Sequence, residues 1–234
     1  MEELLKKSYA RLVRFVRQLF GSSTAQLTFD GSSGTKFATW LRSLLAIYDI
    51  DEMNRQDLAW WQLDALAEVD RFLKLRENAR IFEYGSGAST LWLARRAASV
   101  TSVEHDSGWF DLVAERLKAY PNATLRHVVG KRNQGDPNYV SGKPGAEGLN
   151  FEDYVHAIDN EAPFDLIVID GRCREMCIAA AKSKLKPGGL IVFDNSRRGR
   201  YQQALMAPGF AIKRYRGMTA CLPYPDETTI LTKA

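Results

Sequence analysis

The chain has 234 residues, 45% hydrophobic and 26% charged, with 17 Gly and 8 Pro; this is globular composition and excludes collagen-like, mucin-like and wholly disordered polymers. Three cysteines, Cys173, Cys177 and Cys221, cannot all pair, and with no secretory pattern ahead of them reduced thiols and a cytoplasmic location are expected. No apolar run approaches the roughly 18 residues of a membrane span, and a net charge of +4 is too small to argue by itself for nucleic acid.

In chain order, residues 1–20 place Leu4, Leu5, Leu12, Val13, Phe15, Val16, Leu19 and Phe20 at helical spacing, with Lys6, Lys7, Arg11, Arg14 and Arg17 largely opposite. An amphipathic basic helix is expected, suited to packing on its own domain, to a homodimer, or to peripheral contact with an anionic membrane surface. Gly21 to Gly34 is rich in Ser, Thr and Gly and reads as a linker; helical patterns resume over Trp40–Tyr48 and Gln56–Leu75. These features divide the chain into an N-terminal helical extension, residues 1–54, and a main domain, residues 55–234.

From Ala79 the pattern alternates. Arg80–Tyr84, Val100–Glu104, Thr124–Val129, Phe164–Asp170 and Gly189–Phe193 read as strands, with helices over Thr90–Ala97, Ser107–Ala119, Phe151–Asp159 and Glu175–Lys184. Strands too apolar to keep a wet face predict an α/β fold, a doubly wound, mostly parallel sheet covered by helices on both sides. Ligands then sit at the carboxyl ends of the strands. After a short helical stretch, Gln202–Met206, the segments Phe210–Arg216 and Thr228–Thr232 follow one another without an intervening helix, which predicts an antiparallel hairpin at the end of the sheet.

The run Glu83-Tyr84-Gly85-Ser86-Gly87-Ala88-Ser89-Thr90 puts Gly-x-Gly between a strand and a helix, where the chain turns tightly and a nucleotide-type ligand can approach the backbone. A dinucleotide site wants a third glycine where Thr90 stands, and the Glu83 carboxylate would repel a pyrophosphate but attract an ammonium or sulfonium. Glu104, at the end of the next strand, is placed to accept hydrogen bonds from ribose hydroxyls. An adenosine with a positive tail, S-adenosylmethionine, satisfies both carboxylates.

At these residues the sequence resembles the class I S-adenosylmethionine-dependent methyltransferases. The motifs are Glu83 to Gly87, Ser102-Val103-Glu104-His105-Asp106, Phe164 to Gly171, and Leu185-Lys186-Pro187-Gly188-Gly189-Leu190, in the family's order; a glycine common in that turn is replaced by Ser89. The resemblance implies a seven-stranded sheet with an antiparallel last strand. It also implies Glu83 near the methionine end of the cofactor, close approach at Gly85, Ser86 and Gly87, Glu104 on the ribose, His105 beside the adenine and Asp170 bordering the same site. His105 could instead belong to the cap of the following helix, with Asp106 or Ser107 as N-cap.

A hydroxyl acceptor must lose its proton, to a base or with help from a metal. Asp170, Asp194 and Asn195 end adjacent strands, and this trio is similar to the metal-binding arrangement of catechol and caffeoyl-CoA O-methyltransferases, implying Mg or Mn; Gly171-Arg172-Cys173-Arg174 departs from those families. The alternative roles are Asp170 as a metal-free base and Asp194 as a positioning or structural group, with His156 a further candidate base. Arg172, Arg174, Arg197, Arg198 and Arg200 follow the same strands and suit an anionic acceptor, small or glycan-like; nucleic acid is disfavoured for lack of a stacking-rich pattern. The Gly- and Pro-rich segment Gly130–Asn150 reads as a lid carrying Tyr139 and Lys143, with Tyr154 and His156 just beyond it. Trp60 and Trp61 suit core packing or pocket gating, and Cys173 with Cys177 suit packing rather than zinc. The expected function is methyl transfer to an acceptor oxygen, against an NAD(P)-dependent oxidoreductase or a non-catalytic cofactor-binding protein.

Overall fold

A computed structural model describes residues 33–47, 49–132, 135–143, 145–206 and 209–233. The expected basic helix over residues 1–20, and most of the linker after it, lie outside the described residues. Helices α1 (Ser33–Ser43), α2 (Ile50–Arg55) and α3 (Leu63–Lys74) precede the alternating part. There follow β1 (Arg80–Tyr84), α4 (Ala88–Ala94), β2 (Ser99–Glu104), α5 (Ser107–Leu117), β3 (Ala123–His127), β4 (Lys131–Arg132), β5 (Leu149–Asn150), α6 (Glu152–His156), β6 (Phe164–Ile169), α7 (Arg174–Lys184), β7 (Leu185–Phe193), α8 (Gln202–Leu205), β8 (Phe210–Gly217) and β9 (Asp226–Lys233).

The main sheet has seven strands in the order β3-β2-β1-β6-β7-β9-β8. The pairs joining β3, β2, β1, β6 and β7 are parallel, and β9 runs antiparallel to both β7 and β8. The expected terminal hairpin thus forms, with its second strand inserted next to β7. Strand order reverses between β1 and β6, and the carboxyl ends meet there: Tyr84 pairs with Val103 on one side and Ile169 on the other, and Ile169 with Phe193.

Alternation along the strands separates two cores. Ile81, Val100, Leu166, Val168 and Val192 join Leu66, Val69, Leu91 and Val113 from α3, α4 and α5 on one face. Phe82, Tyr84, Ile167, Ile169 and Phe193 join Tyr154, Val155, Cys177, Ile178 and Leu205 from α6, α7 and α8 on the other. Both faces are covered, as the unbroken apolar strands require. Ala46, Ile47, Ile50 and Met53 from the described part of the N-terminal extension enter the first of these cores.

Several boundaries differ from the pattern, β7 for one starting at Leu185 and not Gly189. α1 begins at Ser33, so the linker stops before Gly34, and the chain tightens to a 3-10 turn over Leu44–Ala46. The helix expected over Gln56–Leu75 starts only at Leu63, because Asp57 adopts φ 54° and the Gln62 side chain caps the helix by accepting from the Ala65 amide at 2.9 Å. Trp60 and Trp61 therefore precede α3; Trp61 is fully buried edge-on against Trp92, with ring centroids 5.7 Å apart. The Gly130–Asn150 excursion is pinned at its base by the β4–β5 ladder.

Candidate active site

The turn after β1 is held from below by a carboxylate that reaches no solvent. Glu83 is fully buried; Ser89 Oγ donates to its Oε1, and Thr90 Oγ1 and Ser102 Oγ donate to its Oε2. Burial pushes its carboxyl up to about 7 against the pull of these hydroxyls. Where the sequence pattern sets this carboxylate against a ligand's positive tail, the structure surrounds it with three hydroxyls that tie β1, β2 and α4 together. Ser89, in the position of the family's glycine, supplies one of them.

Gly85 has φ 92°, and a Cβ there would lie 3.0 Å from the Asp170 carbonyl and Gly171 Cα. Only glycine lets the turns after β1 and β6 touch in this way. Over Gly87 a Cβ would meet nothing closer than the Trp109 indole at 3.7 Å, and Trp109 Nε1 donates to Ser86 O at 2.6 Å. The sequence pattern does not single out Trp109. Its signal is its place in the first turn of α5, where Asp106 caps the helix by accepting from the Trp109 amide at 2.8 Å.

Across the crevice, Glu104 is 3% exposed. Its Oε2 accepts from Ser86 N and Ser86 Oγ, both at 3.0 Å, and its Oε1 accepts from the amides of His105 and Asp106 at 2.7 and 2.9 Å. Burial opposes ionisation, but the His105 ring and these amides outweigh it and bring the carboxyl down to about 2. His105 is not the cap. Its Nδ1 lies 2.8 Å from Glu104 Oε1, while its Nε2 accepts from Arg172 Nε at 2.8 Å, which puts the ring proton on Nδ1. A chain of contacts therefore runs from the end of β2 to the loop after β6.

The ends of β6 and β7 meet around Arg174, which is 7% exposed. Its Nε donates to Gly171 O at 3.1 Å, Nη1 to Asp194 O and Asn195 Oδ1 at 2.6 and 3.2 Å, and Nη2 to Asp170 O at 2.9 Å with Asp170 Oδ1 at 2.6 Å. Each of the five guanidinium N–H groups has an oxygen. Asp194 is enclosed: Thr228 Oγ1 donates to its Oδ1 at 2.6 Å and Asn195 Nδ2 to its Oδ2 at 2.8 Å. Burial raises both carboxyls, Asp194 further because Asp170 is near; Arg174 pulls in the opposite direction. Asp170, Asp194 and Asn195 come together as expected, but Arg174 takes an Asp170 carboxylate oxygen and the Asn195 amide oxygen, and Thr228 and Asn195 donate to the two Asp194 carboxylate oxygens, so the trio offers no open set of oxygens to a divalent ion. Arg174 is likewise turned inward and is not offered to an acceptor. Asp170 Oδ2 has no hydrogen-bond donor among the described residues, and it is the oxygen left for a ligand.

Cations surround the outer side of this edge. Lys143, on the excursion, is lowered to about 8 by partial burial and by the charges of Arg172, Arg174, Arg198 and Arg200. Arg197 is exposed. The two lid-side candidates meet each other: Tyr139 Oη, half-buried, lies 3.1 Å from Nε2 of the exposed His156, whose Nδ1 lies 2.6 Å from Oδ2 of the exposed Asp159. No described contact joins His156 to Asp170 or Asp194, so the structure does not bring this candidate base to the strand ends. Cys177 is core and Cys173, at φ 45°, turns the chain into α7; both are free thiols. Tyr154 is fully buried, and its hydroxyl, against Gly171, has no hydrogen-bond partner among the described residues.

Residues 82–196 match the family model described as "Methyltransferase domain". A curated relative, ribosomal RNA small subunit methyltransferase A of Syntrophus aciditrophicus (strain SB), is 32% identical over 92 residues, 38% of this chain and 33% of that protein. Among solved structures, a candidate O-methyltransferase from Klebsiella pneumoniae is similar with a TM-score of 0.54 at 18% identity, over 98% of this chain and 99% of that one. TrmN from Thermus thermophilus is similar with a TM-score of 0.53 at 17% identity, over 81% of this chain and 53% of that one. The chain thus spans about a third of the curated relative's length and about half of TrmN's. At these identities the structural likenesses establish the fold. No described helix is long and apolar enough to cross a membrane. With the strand order and the acid-backed glycine turn in place, the chain has the Rossmann-like fold of the class I methyltransferases, and its residues 82–196 are similar to the methyltransferase-domain family.

Proposed function

We propose that this protein transfers a methyl group from S-adenosylmethionine to an oxygen of a small or glycan-like, anionic acceptor. The observation that carries the reading is the turn after β1: Gly85 and Gly87 carry no side chain, Glu83 braces the turn from below, and Glu104 at the end of β2 is held ionised beside it. Gly85, Ser86 and Gly87 would lie along the cofactor, with Glu104 and His105 at its ribose and adenine. Glu104 can exchange the Ser86 hydroxyl for a ribose hydroxyl at little cost. Glu83 would act through the turn it braces.

When bound, S-adenosylmethionine supplies an electrophilic methyl on a sulfonium, and the protein's task is alignment of the acceptor with that carbon. Asp170 Oδ2 would take the acceptor's proton, a role supported by its other oxygen being paired with Arg174. Arg172, Arg198, Arg200 and Lys143 would hold the acceptor's anionic group, with Arg197 at the rim and Tyr139 and Asn195 bordering the entrance. Calorimetry with S-adenosylmethionine, its demethylated product and NAD tests the first half, and mass-spectrometric screening of acidic acceptors tests the second. NAD binding without a response to S-adenosylmethionine would reject the reading.

The similarity to a ribosomal RNA methyltransferase supports a second reading, in which the same cations receive the phosphates of an RNA acceptor. This revises the lower weight that the sequence pattern alone gives nucleic acid. A structured RNA that accepts methyl where small acids do not would select it.

A further inference from the structure

We propose that Arg174 is the resident cation of this edge of the sheet, and that Asp170, Asp194 and Asn195 form a latent divalent-cation site that opens only when its guanidinium is removed. Strand ends carrying two carboxylates and an amide oxygen offer the hard oxygen donors that magnesium and manganese take. Here the positive charge among them is covalently part of the chain. Arg174 reaches the Asp170 carboxylate and carbonyl, the Asn195 amide oxygen and the Asp194 carbonyl, while the Asp194 carboxylate beside it accepts from Thr228 and Asn195.

The local backbone is shaped for this. Cys173 holds φ 45° and ψ 43°, a left-handed conformation that non-glycine residues rarely adopt. That turn allows Arg174, the first residue of α7 and four positions beyond Asp170, to fold back on the strand ends. Asn195 has φ 48° and donates through Nδ2 to both Asp194 Oδ2 at 2.8 Å and Asp226 Oδ2 at 3.0 Å, leaving its Oδ1 for Arg174. The departure from the metal-dependent pattern at Gly171-Arg172-Cys173-Arg174 is thus the segment that carries the replacement. As a positioning residue, Arg174 fixes Asp170 Oδ1 and leaves Oδ2 outward, a task that a bound ion would otherwise perform.

The readout is metal binding, so the test stands whether or not methyl transfer is the activity. Mn2+ binding to the full chain would be followed by electron paramagnetic resonance, with folding checked by circular dichroism. Wild type should bind no Mn2+ at this site. Arg174→Gln should gain one bound equivalent, and adding Asp170→Asn should abolish it. Arg174→Lys keeps a cation in place and should stay metal-free. A stoichiometric Mn2+ site in wild type that Asp170→Asn removes would overturn the proposal, as would a folded Arg174→Gln variant that gains no metal. Should the Arg174 variants fail to fold, the wild-type titration decides: binding that depends on Asp170 rejects the proposal, and its absence supports it.

Discussion

Ser89 donates its hydroxyl to Glu83 from the place where the family's glycine turn often has no side chain, and with Thr90 and Ser102 it makes a closed polar cage under the turn. Such a cage solvates a carboxylate less well than water does. The folded Glu83 carboxyl titrates near 7, against about 4.5 when exposed. Below pH 4.5 both states hold the proton and the group costs nothing. As pH rises to 7 only the unfolded chain releases it, so stability falls, by an amount on the order of 3 kcal/mol when complete. Glu83→Gln should therefore be more stable than wild type at pH 8 and gain nothing at pH 4.5, as measured by urea unfolding at both pH values.

Glu104 should show the opposite slope. Its folded carboxyl lies near 2, so its hydrogen bonds stabilise the fold above pH 4.5 and lose that contribution as pH falls toward 2. Glu104→Gln should cost up to about 3 kcal/mol at pH 7, and the cost should shrink in acid. Carboxyl carbon NMR of wild type, titrated from pH 6 to 2, reads the same property directly. A Glu104 midpoint near 4.5 would contradict it.

The two glycines of the turn should separate folding from binding. Gly85→Ala forces a side chain into φ 92° and 3.0 Å from the Asp170 and Gly171 backbone, where nothing can yield. It should destabilise the domain by about 1 kcal/mol or more. Gly87→Val places its Cβ 3.7 Å from Trp109, an ordinary contact at an N-cap with φ 168°, so the fold should survive while S-adenosylmethionine affinity drops at least tenfold. Thermal unfolding and calorimetry on both variants check the division. Loss of stability with unchanged affinity in Gly87→Val would remove the turn from the cofactor's path.

The central strands were legible because β1, β6 and most of β7 are short apolar runs buried on both faces; Arg80–Tyr84 matches residue for residue. The glycine turn and the meeting of Asp170, Asp194 and Asn195 were legible because they close strands whose order alternation dictates. What charge and spacing could not convey is which partner each charge finds. Arg174 looks like its neighbours Arg172 and Arg197 in the sequence, yet a left-handed Cys173 turns it inward while Arg197 stays exposed. His156 looked like a base, but it is held between Asp159, three residues on, and Tyr139 from the 3-10 turn at Pro137–Tyr139, a structure with no periodic signal. The Glu83 cage depends on Ser102 from another strand, a contact that register creates and composition cannot reveal.

The acceptor's charge can be tested through Lys143. Its ammonium titrates near 8 because it is partly buried and faces four guanidinium groups with no carboxylate strong enough to balance them. An anion bound among these cations would relieve the repulsion and raise the Lys143 value, so acceptor binding should take up a proton near pH 8. The acceptor's KM should then rise as pH climbs from 7 to 9, while affinity for S-adenosylmethionine stays flat. Lys143→Ala should remove that pH dependence and raise KM about tenfold, the scale of one lost charge-assisted hydrogen bond. Arg172→Ala should raise KM as well, but because Arg172 also holds His105 it should weaken the cofactor too. Sulfate should compete with the acceptor and not with the cofactor. If neutral analogues react as well as charged ones, and KM is flat across pH 8 in wild type, then Lys143 and the arginines do not read the acceptor's charge.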